Sequence, residues 1–285
     1  MVGSIDRIAQ RLAALDQQIE MLGDAFQETY RGYLKSLGQA VRQQIVMSCY
    51  HICTEGYPKQ FLALSIKERS LFQDSLRDLA AQTEQQLIEG LKSIAAAIEE
   101  FNEIDEPDDL EALLSDDDLE PLDAIVLTPI EALAEWQEQT ERAILKTLKL
   151  ASSAANQLLQ QAEILPKRIP QPILEAAAKA EGGDSFGSGA PLAGTPNLLN
   201  LLVEAGESPD AEPAKPSPSA LMHIVAVNLR LAELEFNDPT VTTWRTKIRD
   251  LQKQLQAVGR EYQKKRREQA IAEAQLAWKS TWTTE

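Results

Sequence analysis

The stretch IDRIAQRLAALDQQIEMLGDAF, residues 5–26, sets the fold class, because its apolar residues recur at alternating intervals of three and four positions. This spacing places them on one side of an α-helix and is typical of a coiled-coil seam. Apolar residues continue at helical spacing from Tyr30 to Ile45, so one long helix is predicted to end near Gly56, where Pro58 follows. The seam consists of Ile5, Ile8, Leu12, Leu15, Ile19, Leu22 and Phe26.

Capping signals mark the starts of further helices. Ser65 and Glu68 form a capping box, TPIE at 128–131 offers Thr as the cap with Pro at the first helical position, and NDP at 237–239 repeats that arrangement. We therefore predict an all-α fold of long coiled-coil-like helices. Its predicted segments are a helical hairpin at 1–102, an acidic linker at 103–127, a third long helix packing on the N-terminal bundle at 128–165, a disordered linker at 166–219 and an antiparallel helical hairpin at 220–285.

An apolar island interrupts the Pro- and Gly-rich linker. TPNLLNLLVEAG, residues 195–206, resembles a helix of two to three turns with Thr195 as its cap and Gly206 as its stop. Two interpretations stay open, since the island either packs on its own protein or docks on a partner. The candidate interaction residues here are Leu198, Leu199, Leu201 and Leu202.

The C-terminal segment is predicted to form two helical arms. The second arm follows the NDP turn and carries Val241, Trp244 and Ile248 at helical spacing. Because both arms are amphipathic, we expect them to pair as a hairpin. The first arm is predicted to run through Ile224, Val227, Leu231 and Leu234.

The charge of the chain is unevenly distributed. The net charge is −16, yet residues 93–141 hold 17 acidic and no basic residues, whereas residues 245–279 hold 10 basic and 4 acidic ones. A strongly acidic chain is a poor general nucleic-acid binder. The run SDDDLE, residues 115–120, lacks the ligand pattern of a calcium-binding EF-hand loop. We predict a reversible, salt-sensitive contact between the acidic and basic regions, within one chain or between neighbours.

The last helix carries the other candidate interaction residues. Three interpretations of its basic residues stay open: a solvated helix face, a contact with an anionic surface such as lipid headgroups or a nucleic-acid backbone, and a contact with the acidic region. Tryptophan is costly to expose, so its two tryptophans are expected to pack on the bundle, a sister chain or a partner. The candidates are Lys264, Lys265, Arg266, Arg267, Trp278 and Trp282.

The stretch SCYHICTEGYP, residues 48–58, raises the question of a metal or redox site. Cys49 and Cys53 are four residues apart and share a helix face, while His51 points to the opposite side. A structural zinc ion needs four ligands, and the spacing is not that of a CxxC motif. The sequence therefore predicts two core-facing thiols, with no metal and no cofactor.

These patterns favour a non-enzymatic scaffold or adaptor that binds protein partners through its helical seams and forms a homo-oligomer. No nucleotide-binding loop, metal-ligand spacing or nucleophile elbow occurs in the sequence. The alternative is a peripheral membrane or anionic-polymer binding protein that uses the basic, tryptophan-ended helix. The chain has no apolar run of membrane-spanning length and no secretory signal, so a cytoplasmic location is expected.

Overall fold

The computed structural model describes residues 2–91, 129–166, 195–204 and 221–282. Helices dominate this part of the chain, which confirms the predicted all-α fold class. The helices are α1 (Val2–His51), a π-helical turn (Ile52–Gly56), α2 (Pro58–Ala63), α3 (Ile66–Glu89), α4 (Pro129–Gln161), α5 (Leu231–Asn237) and α6 (Pro239–Trp282). Two strands, β1 (Leu198–Glu204) and β2 (Leu221–Val227), pair as one small antiparallel sheet.

The predicted caps at Ser65 and Asp238 act as expected, and the predicted cap Thr128 lies outside the described residues. The Ser65 backbone N–H donates to Glu68 Oε2 at 2.7 Å, the Glu68 N–H donates to Ser65 Oγ at 3.3 Å, and α3 begins at the next residue, Ile66. At the start of α6, Asp238 Oδ1 accepts the N–H of Thr240 at 2.8 Å. These bonds join backbone donors at the helix start to side chains a few residues away, so the sequence alone was enough to predict where both helices begin.

One helix end and one loop differ from the prediction. The second predicted helix was expected to reach residue 101, but α3 ends at Glu89, where Gly90 follows. Gly favours the end of a helix because it has no side chain to oppose a left-handed backbone. The predicted loop between the first two long helices contains the short helix α2 instead. The predicted acidic linker 103–127 lies outside the described residues.

The chain forms two compact units. Unit 1 consists of Met1–Tyr33, Gly90–Arg142 and Thr243–Glu285, and unit 2 consists of Leu34–Glu89 and Ala143–Thr242. Each unit gathers pieces of chain that are far apart in sequence, and the predicted segment boundaries stay a prediction. Predicted segments describe where helices begin and end, whereas compact units depend on which helices pack together.

Unit 1 is built from parts of α1, α4 and α6. An Arg11–Glu261 ion pair of 2.7 Å and the contact of Gly32 with Trp244 show that α1 and α6 run antiparallel. Most of the predicted seam is buried within this single chain, and self-association stays a prediction. Its buried members are Leu12, Leu15, Ile19, Leu22 and Phe26.

One shared carboxylate joins the three helices of unit 1. The Tyr30 hydroxyl on α1 donates to Glu141 Oε1 on α4 at 2.7 Å, and Arg245 Nη2 on α6 donates to Glu141 Oε2 at 3.0 Å. The Arg245 guanidinium also lies 5.5 Å from the centre of the Tyr33 ring. Burial, and then the charge of Glu141, raises the pKa of Tyr30 far above its ordinary value, so the hydroxyl stays a neutral donor. We call these three bonded residues the Glu141 network.

Unit 2 contains the hairpin predicted for the first two long helices. Arg42 on α1 forms a 3.0 Å ion pair with Glu84 near the end of α3. Cys49, further along α1, lines a pocket together with Phe72 near the start of α3. The two helices therefore run antiparallel, which confirms this part of the predicted architecture.

The sheet of unit 2 corrects two helix predictions. The island 195–206 was predicted as a helix, and so was the segment around Ile224 and Val227, but both contain strands. Leu198 pairs with Val227 at one end of the sheet, and Glu204 pairs with Leu221 at the other. Periodicity alone cannot tell a short, fully apolar strand from a helix, and the β-branched residues of β2 favour the extended form.

The side chains of Tyr57, which precedes α2, and of Asn156 on α4 satisfy the edge of β2 that faces away from β1. The Val225 N–H donates to the Tyr57 hydroxyl at 3.1 Å, and the Val227 N–H donates to Asn156 Oδ1 at 2.8 Å. Asn156 Nδ2 in turn donates to the Val227 carbonyl at 2.9 Å. An exposed strand edge invites pairing with another chain. Here the buried backbone groups are bonded within the protein.

The close contact between Gly32 and Trp244 gives the first test. A Cβ at residue 32 would lie 2.5 Å from a Trp244 ring atom, whereas one at Gly259 would lie 3.5 Å from Ile130. We expect Gly32→Ala to lower the free energy of unfolding by about 1–3 kcal/mol through overpacking. Gly259→Ala should raise it by up to ~1 kcal/mol through helix propensity. Urea unfolding followed by circular dichroism measures the stability of both variants. An equal gain in the free energy of unfolding for both would contradict the close approach of Gly32 to Trp244.

The bonds of Asn156 give the second test. Asn156→Ala leaves a buried N–H and a buried carbonyl of β2 without partners, which costs about 1–3 kcal/mol for each group. We expect a loss of about 2–5 kcal/mol in urea unfolding. The matched control is Gln161→Ala, which removes an exposed amide from the same helix and should change stability by less than ~0.5 kcal/mol. Similar small losses in both variants would show that the edge of β2 is satisfied in another way.

Candidate interaction surface

The helix α6 changes character after Tyr262. Before this point it contains several buried side chains, whereas residues 263–279 include none. Its composition still favours a helix, since Ala, Gln, Glu, Lys and Arg are strong helix formers. Bonds between side chains three or four residues apart add support, such as Gln269 to Glu273 at 2.8 Å. The residues buried earlier in α6 are Val241, Ile248, Leu255, Val258 and Tyr262.

Basic and apolar residues share one narrow face of this exposed part. An α-helix turns about 100° per residue, which places five residues within a sector of about 60°. We call this face the basic-aromatic stripe. Leu276, which is also exposed, lies on the other side of the helix. The stripe consists of Lys264, Arg267, Ile271, Trp278 and Trp282.

The two tryptophans of the stripe stack on each other. Their ring centres are 5.9 Å apart with an interplanar angle of 22°. Even so, Trp278 is 68% exposed and Trp282 is 75% exposed. They were expected to pack on the bundle, a sister chain or a partner, and the described residues provide no burial that would satisfy the first of these. The pair therefore presents a large, rigid apolar area to its surroundings.

The four predicted basic residues divide into two pairs. Lys265 donates to Glu268 at 2.6 Å, and the Arg266 guanidinium lies 5.9 Å from the centre of the Tyr262 ring. The hydrogen bond from Lys265 also lowers the pKa of Glu268. The other two basic residues belong to the stripe. Sequence reasoning did not make this distinction, although a projection at 100° per residue reveals it.

The predicted contact between the acidic and basic regions is seen at one position. Glu141 belongs to the acidic region and Arg245 to the basic one, and their side chains bond in the Glu141 network. Most of the acidic region lies outside the described residues, so its contact with Lys264, Lys265, Arg266 and Arg267 stays a prediction.

The apolar island contributes to the packing of unit 2. Leu198 and Leu199 are buried in β1, which supports the interpretation that the island packs on its own protein. Leu201 and Leu202 occupy later positions of the same strand, but their side chains lie outside the described residues. Sequence reasoning identified the island as an apolar segment and assigned it the wrong secondary structure.

The cysteines are buried free thiols on one face, as predicted. His51 is turned away and its Nδ1 lies 2.9 Å from Glu55 Oε1. Burial raises the pKa of Cys53 to about 12 and that of Cys49 still higher, so both thiols stay protonated at neutral pH. Within the described ranges, no three His, Cys, Asp or Glu residues lie close enough to hold a metal ion together.

In the part of the chain that the structure describes, no helix combines the length and apolar character needed to cross a membrane. Comparison with protein-family models, with curated proteins and with solved structures finds no match to this chain.

The raised thiol pKa values give the third test. The unfolded thiols ionise near their ordinary pKa of 9.0, whereas the folded Cys53 thiol ionises only near 12. The free energy of unfolding is therefore unaffected by these thiols below pH 9 and decreases as the pH rises from 9 towards 12. Between pH 8 and 10, we expect the wild type to lose about 1–3 kcal/mol more than a Cys49→Ala/Cys53→Ala variant. Urea unfolding at each pH gives the comparison. Parallel losses in both proteins would contradict it.

Proposed function

We propose that this chain is a non-enzymatic helical adaptor whose basic-aromatic stripe docks into an apolar groove with an acidic rim on a protein partner. The exposed, stacked Trp278 and Trp282 carry this proposal. Tryptophan and arginine are enriched among the residues that contribute most to protein interfaces. The stripe extends over about 27 Å of helix from Lys264 to Trp282, at roughly 1.5 Å per residue, which suits a helix-in-groove complex.

The charge of the stripe defines the chemistry of the partner. Lys264 and Arg267 are exposed at its N-terminal half, and the tryptophans lie at its C-terminal half. An acidic rim next to an apolar cleft complements this order, because opposite charges steer the encounter while buried aromatic rings contribute most of the affinity.

A protein groove fits the stripe better than a lipid surface. A helix that lies in a membrane interface buries a broad apolar face. Here the apolar residues of the stripe form a narrow line, and Leu276 projects from the other side. The net charge of −16 also repels the chain from anionic lipids.

The helical seam has a different role in this proposal from the one predicted. The seam of α1 is largely buried within unit 1, so its residues support the position of α6 and leave the stripe as the docking surface. Self-association and a cytoplasmic location stay predictions, and the adaptor role requires neither.

Site-specific photo-crosslinking in cells tests the proposal as the fourth prediction. A photoreactive phenylalanine at position 275 lies in line with the stripe, whereas one at position 273 points to the opposite side. We expect a discrete protein adduct from position 275 and none from position 273. Trp278→Ala with Trp282→Ala should abolish the adduct while changing stability by less than ~0.5 kcal/mol, because both side chains are exposed.

Leu276→Ala serves as the control for this experiment, since it removes an exposed apolar side chain outside the stripe. It should leave the adduct unchanged. Flotation with phosphatidylserine vesicles tests the membrane alternative. Position-independent crosslinking, or flotation that depends on the two tryptophans, would contradict the proposed protein partner.

A further inference from the structure

An apolar pocket lies in unit 2, and none of its lining residues belongs to the stripe. It has a volume of about 230 Å³ and is formed by the end of α1, the π-helical turn, α2 and the beginning of α3. Four of its lining residues are buried and four are exposed with polar groups. The buried ones are Cys49, Cys53, Phe72 and Leu76, and the exposed polar ones are Tyr50, Thr54, Gln73 and Arg77. A concave apolar site with a few polar groups is the usual form of a small-molecule site.

The π-helical turn shapes one side of this pocket. Its widened turn is closed by the Tyr57 N–H, which donates to the Ile52 carbonyl at 2.7 Å, five residues earlier. Such turns displace side chains from the regular helical positions and occur often at functional sites. Here the turn ends α1 and leads the chain into α2, which supplies Phe61 as another wall.

Arg69 fixes that wall in place. Its Nε donates to the Phe61 carbonyl at 3.2 Å, and its Nη2 donates to the Leu62 carbonyl at 2.7 Å. The guanidinium also lies 5.5 Å from the centre of the Phe61 ring. These three contacts orient the ring from α3 and make the pocket preorganised, which lowers the entropic cost of binding.

The lining determines which ligands are suitable. No carboxylate lines the pocket, and Arg77 is already bonded to Asp74 at 2.8 Å. A charged ligand would therefore lose its hydration without gaining an unpaired counter-ion. Two cysteine sulfurs and the rings of Tyr50, Phe61 and Phe72 favour an aromatic occupant, since sulfur and ring edges make favourable contacts with π-systems.

The volume also limits the size of the ligand. An apolar cavity of roughly 150 Å³ is enough to hold benzene. A pocket of about 230 Å³ suits two fused rings or one ring with a short substituent. We propose that this pocket binds a small, uncharged aromatic molecule with at most one hydrogen-bonding group, placed near Gln73.

Titration of the full chain with 5-fluoroindole, observed by fluorine NMR, tests this inference. We expect saturable binding at one site. At a concentration ten times the dissociation constant, the probe should slow the labelling of Cys49 and Cys53 by a small thiosulfonate about tenfold, because both thiols line the pocket. The thiol readout places the probe in the pocket without any substitution.

A matched pair of variants provides the control. Gln73→Trp should cover the mouth of the pocket and weaken binding at least tenfold, whereas Gln86→Trp places the same side chain at an exposed position of α3 outside the lining. Trp278→Ala with Trp282→Ala should leave the affinity unchanged. Equal binding by both Gln variants, binding without thiol protection, or no saturable binding up to millimolar probe would overturn the inference.

Discussion

The hydrogen bonds that the Glu141 carboxylate accepts are the interactions on which the packing of unit 1 depends. The carboxylate accepts hydrogen bonds from Tyr30 on α1 and from Arg245 on α6, so one side chain of α4 ties three helical segments together. The edge-to-face contact of Tyr30 with Trp136 at 5.3 Å encloses this site with aromatic surface. The ion pair of Arg245 with Glu141 is partly buried, with side chains 19% and 22% exposed, so removal of one partner leaves a partly desolvated charge unpaired. Polar bonds of this kind also select one arrangement of helices that apolar packing alone would leave less defined.

Unit 2 solves a different problem, because it holds two strands among helices. A strand has backbone donors and acceptors on both edges, and only one edge of β2 can bond to β1. Tyr57 and Asn156 satisfy the other edge, and Ser152 extends the pattern by accepting the Leu229 N–H at 2.9 Å. Asn156 and Ser152 belong to α4, whereas Tyr57 lies between the π-helical turn and α2. Their role is therefore to bond the buried backbone groups that a two-stranded sheet would otherwise leave unsatisfied among helices.

The division between buried and exposed surface links this architecture to function. The seam of α1 has the apolar residues of an interaction surface, but most of these residues are already buried within the same chain. The exposed part of α6 and the pocket beside Cys49 present apolar surface in two other forms, one convex and one concave. A convex stripe suits a protein groove, whereas a concave pocket suits a small molecule.

The sequence by itself determined the helical class, the caps at Ser65 and Asp238 and the burial of the two cysteines, because each depends on residues a few positions apart. It also identified the tryptophan pair and the basic residues beside it. Only the tertiary structure decided that the seam closes within one chain, that the island is a strand, and that Glu141 meets both Tyr30 and Arg245. The seam and the Glu141 network depend on contacts between segments 100 or more residues apart, such as the 111 positions that separate Tyr30 from Glu141. The island becomes a strand by pairing with β2, across the part of the chain between Glu204 and Leu221. No local pattern encodes which distant segment supplies the partner, since many segments of this chain have equally apolar faces.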